Sequence, residues 1–209
     1  EDNPGLTFLH HQKDDLDIYF VVNLQDQCIK IPVTFRIKNK LAEEWDPNTG
    51  KSLPIHLYRK LDQGISIPLR LAPFHSTFIV FRPGKDRAHL SQTNMEKVLE
   101  VNESQIVGLT RENGSPMAAF EKDGHREARF LPIQNLPSPY LLSGTWKMVL
   151  EGKDFSRVEK ETVSLRSWTE DSQTRHFSGT GCYQIDFQLS RSYLKPDLCL
   201  ILDLGKVAN

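Results

Sequence analysis

The sequence predicts an all-β protein: an antiparallel β-sandwich followed by a partial, truncated jelly roll. Two observations carry this prediction, since apolar and polar residues alternate over short runs and turn dipeptides separate these runs at regular spacing. Many short strands with such turns are typical of sandwiches. The 209 residues are enough to bury a core without a metal or disulfide staple.

The charge balance bears on possible partners. Lys and Arg number 26 and Asp and Glu number 27, which gives a formal net charge of −1. Nucleic acids and anionic membranes are bound by clustered positive charge, and no run approaches the roughly 18 apolar residues of a membrane span. The sequence therefore predicts neither a nucleic-acid nor a membrane partner.

The first strands are predicted from their alternation. Residues 17–23 form a β-branched and aromatic run, and residues 28–38 alternate between two faces. Pro32 falls on the polar face of the second run, which predicts an edge strand or a bulge because proline cannot donate to a ladder. One face of this run carries Ile29, Ile31, Val33, Phe35 and Ile37.

A hairpin turn is predicted at residues 46–50. Pro47 presets its φ angle, Asn48 tolerates a left-handed conformation and Gly50 accepts a positive φ. Further strands are expected at 52–58, 64–71 and 76–82.

After residue 84 the pattern weakens. We expect one helical turn at 91–97 and four short strands with turns at Asn113-Gly114 and Asp123-Gly124. The low density of apolar residues predicts no separate core, so these hairpins complete or flank the first sandwich. The four strands are expected at 98–101, 106–109, 117–120 and 126–130.

Pro137 and Pro139 predict a stiff linker. It divides the chain into a sandwich domain at residues 1–137 and an incomplete jelly roll at 138–209. Four strands are expected in the second domain, at 144–150, 161–165, 181–189 and 198–204.

A complete jelly roll has about eight strands. Four strands leave apolar surface and open sheet edges, so we expect residues 140–209 to pack on the first sandwich or to associate between molecules. The chain starts without Met and stops just after the predicted strand at 198–204. We interpret it as a fragment of a larger protein.

The three cysteines have no metal-binding spacing. Cys182 and Cys199 lie in apolar strand patterns and are predicted to be buried as small hydrophobic residues, whereas a disulfide between them would require neighbouring strands. The pairing of Cys28, Cys182 and Cys199 stays open.

Acidic residues beside an aromatic residue suggest a glycosidase, as at Glu43, Glu44 and Trp45. The two carboxyl groups of a glycosidase must face each other roughly 5 to 10 Å apart. Consecutive strand residues point to opposite faces. We therefore predict a solvated strand here rather than a catalytic pair.

Metal sites are not predicted either. Asp14, Asp15 and Asp17 carry oxygen ligands of the kind calcium takes, but the twelve-residue EF-hand pattern is missing. A solvated turn before the first strand is favoured, and His10 and His11 lack a partner at ligand spacing. The sequence thus predicts no metal, no cofactor and no catalytic residue.

Three aromatic residues are the candidate ligand-binding residues: Trp45, Trp168 and Tyr183. Aromatic rings near loop ends can form a platform for a sugar ring. Aromatic residues on sandwich strands more often pack in the core. Both interpretations are carried forward.

Several segments, taken in order, resemble the C-terminal region of large α-L-rhamnosidase-type glycoside hydrolases of family 106. These are residues 8–10 with 17–23, Trp45 to Gly50, and 68–73 leading to 78–81 in the first half. In the second half they are 142–146, 168–169 with 176–183, and 202–209. The resemblance covers nearly the whole chain and is weakest over residues 84–130.

The resemblance implies an accessory β-sandwich and a galactose-binding-like jelly roll that follow a catalytic barrel. It implies a carbohydrate-binding, non-catalytic piece of a secreted hydrolase, in the periplasm or outside the cell, whose partners are the remainder of the parent chain and a plant or microbial polysaccharide containing rhamnose. No segment matches the barrel, so its catalytic glutamates cannot be carried over. The alternative is a protein-binding adhesion or assembly sandwich with no carbohydrate role.

Overall fold

A computed structural model describes residues 5–205 of the chain. All strand ladders in this range are antiparallel, which confirms the predicted all-β antiparallel class. No helix in the range is long and apolar enough to cross a membrane. The strands are β1 (Leu6–Lys13), β2 (Leu16–Asn23), β3 (Ile29–Phe35), β4 (Lys40–Trp45), β5 (Ser52–Pro54), β6 (Arg59–Leu61), β7 (Gly64–Leu71), β8 (Ser76–Pro83), β9 (His89–Thr93), β10 (Lys97–Val101), β11 (Ile106–Leu109), β12 (Met117–Lys122), β13 (His125–Phe130), β14 (Trp146–Gly152), β15 (Phe155–Thr162) and β16 (Thr180–Gln184).

The chain divides into two compact units, Glu1–Leu136 and Pro137–Asn209. We call them the first and the second unit. That each unit folds as an independent domain stays a prediction.

Two sheets of the first unit form the sandwich. One has the strand order β1-β2-β8-β4-β5 and the other the order β3-β7-β6. Apolar side chains from the facing sides of both sheets meet in one core, because a strand presents every second residue to the same side. The buried members are Tyr19, Val21, Phe35, Ala42, Tyr58, Ile65, Ile67, Leu69, Leu71, Ile79 and Phe81.

Phe81 lies at the centre of this core. Its side chain is fully buried, and its ring centroid lies 5.1 Å from that of Phe35 and 5.9 Å from that of Tyr19. Phe35 comes from the opposite sheet, so these aromatic contacts join the two layers.

Two local predictions are confirmed. Pro32 lies on β3, which is an edge strand of its sheet. The turn after β4 is closed by hydrogen bonds from Gly50 N to Asp46 O (2.8 Å) and from Asn48 N to Asp46 Oδ1 (2.9 Å), and Gly50 has a φ of 69°. Asp46 thus organises the turn, as expected for an Asx residue.

The region after residue 84 differs from the prediction. Residues 91–93 belong to strand β9 rather than to a helical turn, because β12 pairs with β9 on one side and with β13 on the other. A second small core also forms here, against expectation. Its members lie on or directly beside separate short strands, so no single stretch of sequence shows it. The buried ones are Ala88, Leu90, Val101, Ala118 and Phe120.

The second unit has one three-stranded sheet with the order β15-β14-β16. The predicted strand at 198–204 is wrong, since this segment has no regular structure and its leucines 200, 202 and 204 are exposed. β14 lies where a strand was expected at 144–150, but the next strand, β15, lies at Phe155–Thr162 rather than at 161–165. The jelly roll stays a prediction.

The burial predicted for two cysteines is also wrong. Cys182, Cys199 and Cys28 are all exposed and unpaired. Cys182 pairs with Val149 on β14, and Val149 pairs with Glu159 on β15, so the thiol lies on the same face of the sheet as the Glu159 side chain. Cys199 lies within the segment 198–204, which forms no strand.

Candidate functional site

Two of the three candidate residues meet in the second unit. Trp168 begins a 3₁₀ turn, Trp168–Glu170, and its indole N–H donates a hydrogen bond to the hydroxyl of Tyr183 on β16. The Thr174 hydroxyl donates to the Trp168 carbonyl at 2.9 Å, which fixes the turn. Both aromatic rings are half-buried.

A glycine lets the indole lie close to the strand. A Cβ on Gly181 would come within 2.6 Å of Cζ2 of Trp168. Phe177 packs edge-on against Trp168 with ring centroids 4.9 Å apart, and Phe155 packs against Phe177 at 4.8 Å. These contacts orient Trp168 before any ligand binds.

A charged pair flanks this aromatic group. Lys160 Nζ on β15 donates to Asp171 Oδ2 at 2.5 Å, just after the 3₁₀ turn. The hydrogen bond from Lys160 lowers the pKa of the Asp171 carboxyl, and a backbone hydrogen bond from Gln173 lowers it further. The pair holds the turn segment on the sheet.

Trp45, the third candidate, belongs to the first unit. Its indole N–H donates to Glu43 Oε2 at 3.1 Å, and its cross-strand neighbour on β8 is Phe78. The side chain is half-buried. These contacts make Trp45 part of the outer face of the five-stranded sheet.

The two neighbouring glutamates form separate contacts, as strand geometry predicts, but the expectation of a solvated strand is wrong for Glu43, which is buried. Glu43 Oε1 lies 3.1 Å from Arg82 Nε, and Glu44 Oε1 accepts a hydrogen bond from the Thr77 hydroxyl at 3.0 Å. Both contacts join β4 to β8. The carboxylates therefore serve to link strands.

The aspartates at the β1–β2 hairpin split into two roles. Asp14 and Asp15 form the turn, whereas Asp17 is buried on β2, so the prediction of a solvated turn holds for the first two only. Asp17 accepts hydrogen bonds from Lys40 Nζ at 2.8 Å and makes a 3.0 Å contact with His10 Nε2.

Burial raises the pKa of Asp17, but the hydrogen bonds and positive charges of Lys40 and His10 outweigh it and leave the pKa lowered. His10 also stacks on Tyr19, with centroids 4.2 Å apart and an interplanar angle of 3°. Within residues 5–205, no three His, Cys, Asp or Glu side chains are placed to hold a metal ion.

Sequence reasoning missed two buried polar groups of the first unit. Asn23 is completely buried, and its side chain bonds four backbone groups. His89 is completely buried as well, stacks on Tyr58 at 4.0 Å, and contacts Arg87 O through Nδ1 at 3.1 Å. The alternation of residues along the strands places Asn23 and His89 on inward faces. Several of the groups that they bond or stack on come from distant parts of the chain and cannot be identified from the sequence.

Comparisons with known proteins agree with the resemblance read from the motifs. Residues 1–60 match the sequence model of glycoside hydrolase family 106, described as alpha-L-rhamnosidase. A putative beta-glucuronidase from Formosa agariphila is 32% identical over 98 residues, which is 46% of this chain and 8% of that protein.

A solved structure matches most of the chain. The structure of a rhamnosidase from Novosphingobium sp. PP1Y matches 90% of this chain and 14% of its own, with a TM-score of 0.56 and 22% identity. At this identity the likeness shows the fold alone. The chain thus spans 8% and 14% of the lengths of these two proteins. The predicted resemblance is confirmed: the chain is similar to a region of α-L-rhamnosidase-type glycoside hydrolases.

Proposed function

We propose that the chain is a non-catalytic accessory region of a rhamnosidase-like glycoside hydrolase that acts in the periplasm or outside the cell. Its work is to support the remainder of the parent protein and to contact a rhamnose-containing glycan. The proposal is supported by the similarity to small parts of two much longer proteins whose names denote glycosidases.

The ion pairs made by two buried acidic side chains support the non-catalytic part of the proposal. Asp17 is held by Lys40 of β4, and Glu43 is held by Arg82 of β8. Glycosidase chemistry needs two carboxyl groups that face each other across the bond to be cleaved. Carboxylates committed to such pairs stabilise sheets and are not available for that chemistry.

Hydrolysis assays test this part directly. We expect the 209-residue chain to release no more aryl alcohol from an aryl α-L-rhamnoside or an aryl β-D-glucuronide than buffer does. A release that rises with protein concentration and persists through repurification would contradict the proposal.

The glycan contact is assigned to Trp168 and Tyr183. Their rings are half-buried at the junction of a turn and a strand, and their orientation is fixed by Phe177 and Gly181. A sugar site combines such an apolar surface with a few polar groups, here supplied by the pair Lys160–Asp171. Trp45 is the weaker candidate because it lies alone in the first unit, whereas Trp168 and Tyr183 contact each other.

Calorimetric titration with a rhamnose-containing oligosaccharide tests this contact. We expect heat above a buffer control for the unmodified chain and its loss in Trp168→Ala. Tyr183→Phe keeps the ring but removes the hydroxyl, so it retains the fold and weakens binding. Tyr140→Ala is a matched control, since this second-unit tyrosine is 46% exposed and lies away from Trp168 in the sequence. Equal heats for all four proteins, or none for the unmodified chain, would overturn the assignment.

An assembly role is the second candidate function. Leu141 and Val163 of the second unit are 83% and 80% exposed, and β15 and β16 are edge strands of their sheet. Open edges and apolar side chains favour pairing with another chain. Light scattering over a concentration series distinguishes this role: a molar mass that rises with concentration supports it, whereas a constant monomer mass argues against it.

A further inference from the structure

A groove lies at one end of the first unit, outside the contacts that form the sandwich core. It is lined by residues 24–27 of the loop between β2 and β3 and by Phe74 of the turn between β7 and β8, and its volume is about 510 Å³. Its apolar members, Phe74 and Leu24, are 69% and 57% exposed. The groove is wide open to solvent, so it can contact one face of a small ligand rather than enclose it.

Phe74 is unusual in its backbone. Its φ is 53°, in the left-handed region that side chains other than glycine and asparagine seldom adopt. The ring is exposed, so burial in a core does not compensate for this conformation. Strained residues that the surrounding structure maintains are concentrated at ligand-binding positions.

The loops on both sides of the groove are locked together. The completely buried Asn23 donates from Nδ2 to Gln27 O and Ala72 O, each at 2.8 Å, and to Leu71 O at 3.3 Å. Its Oδ1 accepts from Gln25 N at 2.9 Å. Phe74 N in turn donates to Gln25 O at 3.0 Å. The groove is therefore formed before a ligand arrives, which lowers the entropic cost of binding.

The groove offers an aromatic face with amide and carboxylate groups beside it. The side chains of Asp26 and Gln27 are exposed and make no hydrogen bond to the other described residues. No Lys, Arg or His lines the groove within the described chain. A ligand that fits has an apolar face for Phe74, hydroxyl groups for Asp26 and Gln27, and no negative charge.

We propose that this groove binds a neutral sugar residue, with a face of the sugar ring on Phe74 and its hydroxyls on Asp26 and Gln27. The inference rests on the proposed function in one respect, that the chain contacts a glycan. It adds a second sugar-binding position, in the first unit, and a preference for neutral over acidic sugars because Asp26 repels a carboxylate.

A nuclear magnetic resonance titration of the full 209-residue chain tests the proposal, with methyl α-L-rhamnoside and methyl α-D-glucuronide as probes. We expect the rhamnoside to shift the backbone amide signals of residues 24–27 and 74. The glucuronide is expected to shift them less at equal concentration. Phe74→Gly is expected to bind the rhamnoside at least about fivefold more weakly, as for the loss of a main contact residue.

Two controls separate binding from folding. Glycine accepts a φ of 53°, so Phe74→Gly keeps the fold and a thermal midpoint no lower than that of the unmodified chain. Phe130→Ala removes another phenyl ring of the first unit, one that is 65% exposed, and leaves binding unchanged.

The outcomes distinguish this site from the one at Trp168. Shifts confined to residues near Trp168 and Tyr183 overturn the groove and leave the proposed glycan contact intact. Shifts at 24–27 and 74 that survive in Phe74→Gly overturn the stacking role. Shifts at the groove that are lost in Phe74→Gly and kept in Trp168→Ala support the inference.

Discussion

The two units differ most in how they bury apolar surface. Of the buried apolar side chains in the described range, all but one lie in the first unit, and the exception is Leu150. Within the described residues the second unit has one sheet, and Trp168 and Phe177 lie against it near Gly181 and Gly179. A sheet needs a second layer to form a core, and only the first unit has one.

The comparison teaches which unit is stabilised by its own core and which unit leaves apolar side chains exposed. Two packed sheets give the first unit its main core, and its buried side-chain polar atoms have hydrogen-bond partners within the described range except Nε2 of His89. The second unit instead exposes leucines, among them Leu194 and Leu202 at more than 60%. Exposed apolar groups are expected where another surface covers them in a larger protein.

The largest expected effect comes from the first core. Phe81→Ala removes a completely buried ring between the two sheets and should lower the free energy of unfolding of the first unit by about 3 to 5 kcal/mol. Chemical denaturation measures this loss. Phe130→Ala, on an exposed ring, should change the free energy of unfolding by less than about 0.5 kcal/mol. Similar losses for both variants would mean that the core is not where the structure places it.

A smaller and more local effect is expected in the second unit. Leu150→Ala should destabilise it by about 2 kcal/mol, at the low end for buried leucines because the thinly covered site collapses easily. The amide signals of the first unit should keep their protection. Equal loss of protection in both units would contradict their energetic independence.

Asn23 gives the next effect. Asn23→Ala leaves three carbonyl groups, those of Gln27, Leu71 and Ala72, without their buried donor and should cost about 1 to 3 kcal/mol of unfolding free energy. Asn48→Ala, in an exposed turn, is the control. A neutral result at Asn23 would show that water replaces the amide and that the groove loops are not locked.

The smallest effect is a dependence on pH. Burial lowers the pKa of His89 below its usual 6.5, so the unfolded chain takes up this proton first. The neutral ring therefore contributes fully to the free energy of unfolding above about pH 6.5. This contribution is lost as the pH falls from there through the lowered pKa of the folded state. The ring stacks on Tyr58. Its pKa is also affected by the hydrogen bond to the Arg87 backbone and by three charged side chains, those of Lys60, Glu121 and Asp86.

The measurement is the free energy of unfolding of the first unit between pH 7 and pH 5. His89→Phe keeps the stacking on Tyr58 without a titratable nitrogen and should flatten this slope. His125→Phe, at an exposed position on β13, should leave the slope of unfolding free energy against pH unchanged. An identical slope in the His89 variant would assign the pH dependence to other groups.

Much of the first unit could be predicted from the sequence because its strands carry their signal locally. The alternation in β2 and β3 and the turn residues Asp46 and Gly50 specify strand, face and hairpin together. Predictions failed where the outcome depends on distant partners. The apolar segment at 198–204 has the composition of a strand, but a strand forms only where another offers its backbone hydrogen bonds.

The same reason explains which parts of the candidate sites could be predicted. Trp168 and Tyr183 were identified as aromatic residues near loop ends, yet their contact depends on Gly181, which leaves space for the indole. The groove at Phe74 was missed altogether. Nothing in the sequence around Phe74 indicates a positive φ, and the contacts that join its turn to the loop at Gln25 come from residues distant in sequence.

Hydrogen exchange resolved by residue in the full chain tests the contrast between the units most directly. The account predicts that amides of β2, β7 and β8 exchange only on global unfolding of the first unit, while those of β14, β15 and β16 exchange orders of magnitude faster. Slow exchange in all six strands, at a concentration where the chain is monomeric, would contradict it.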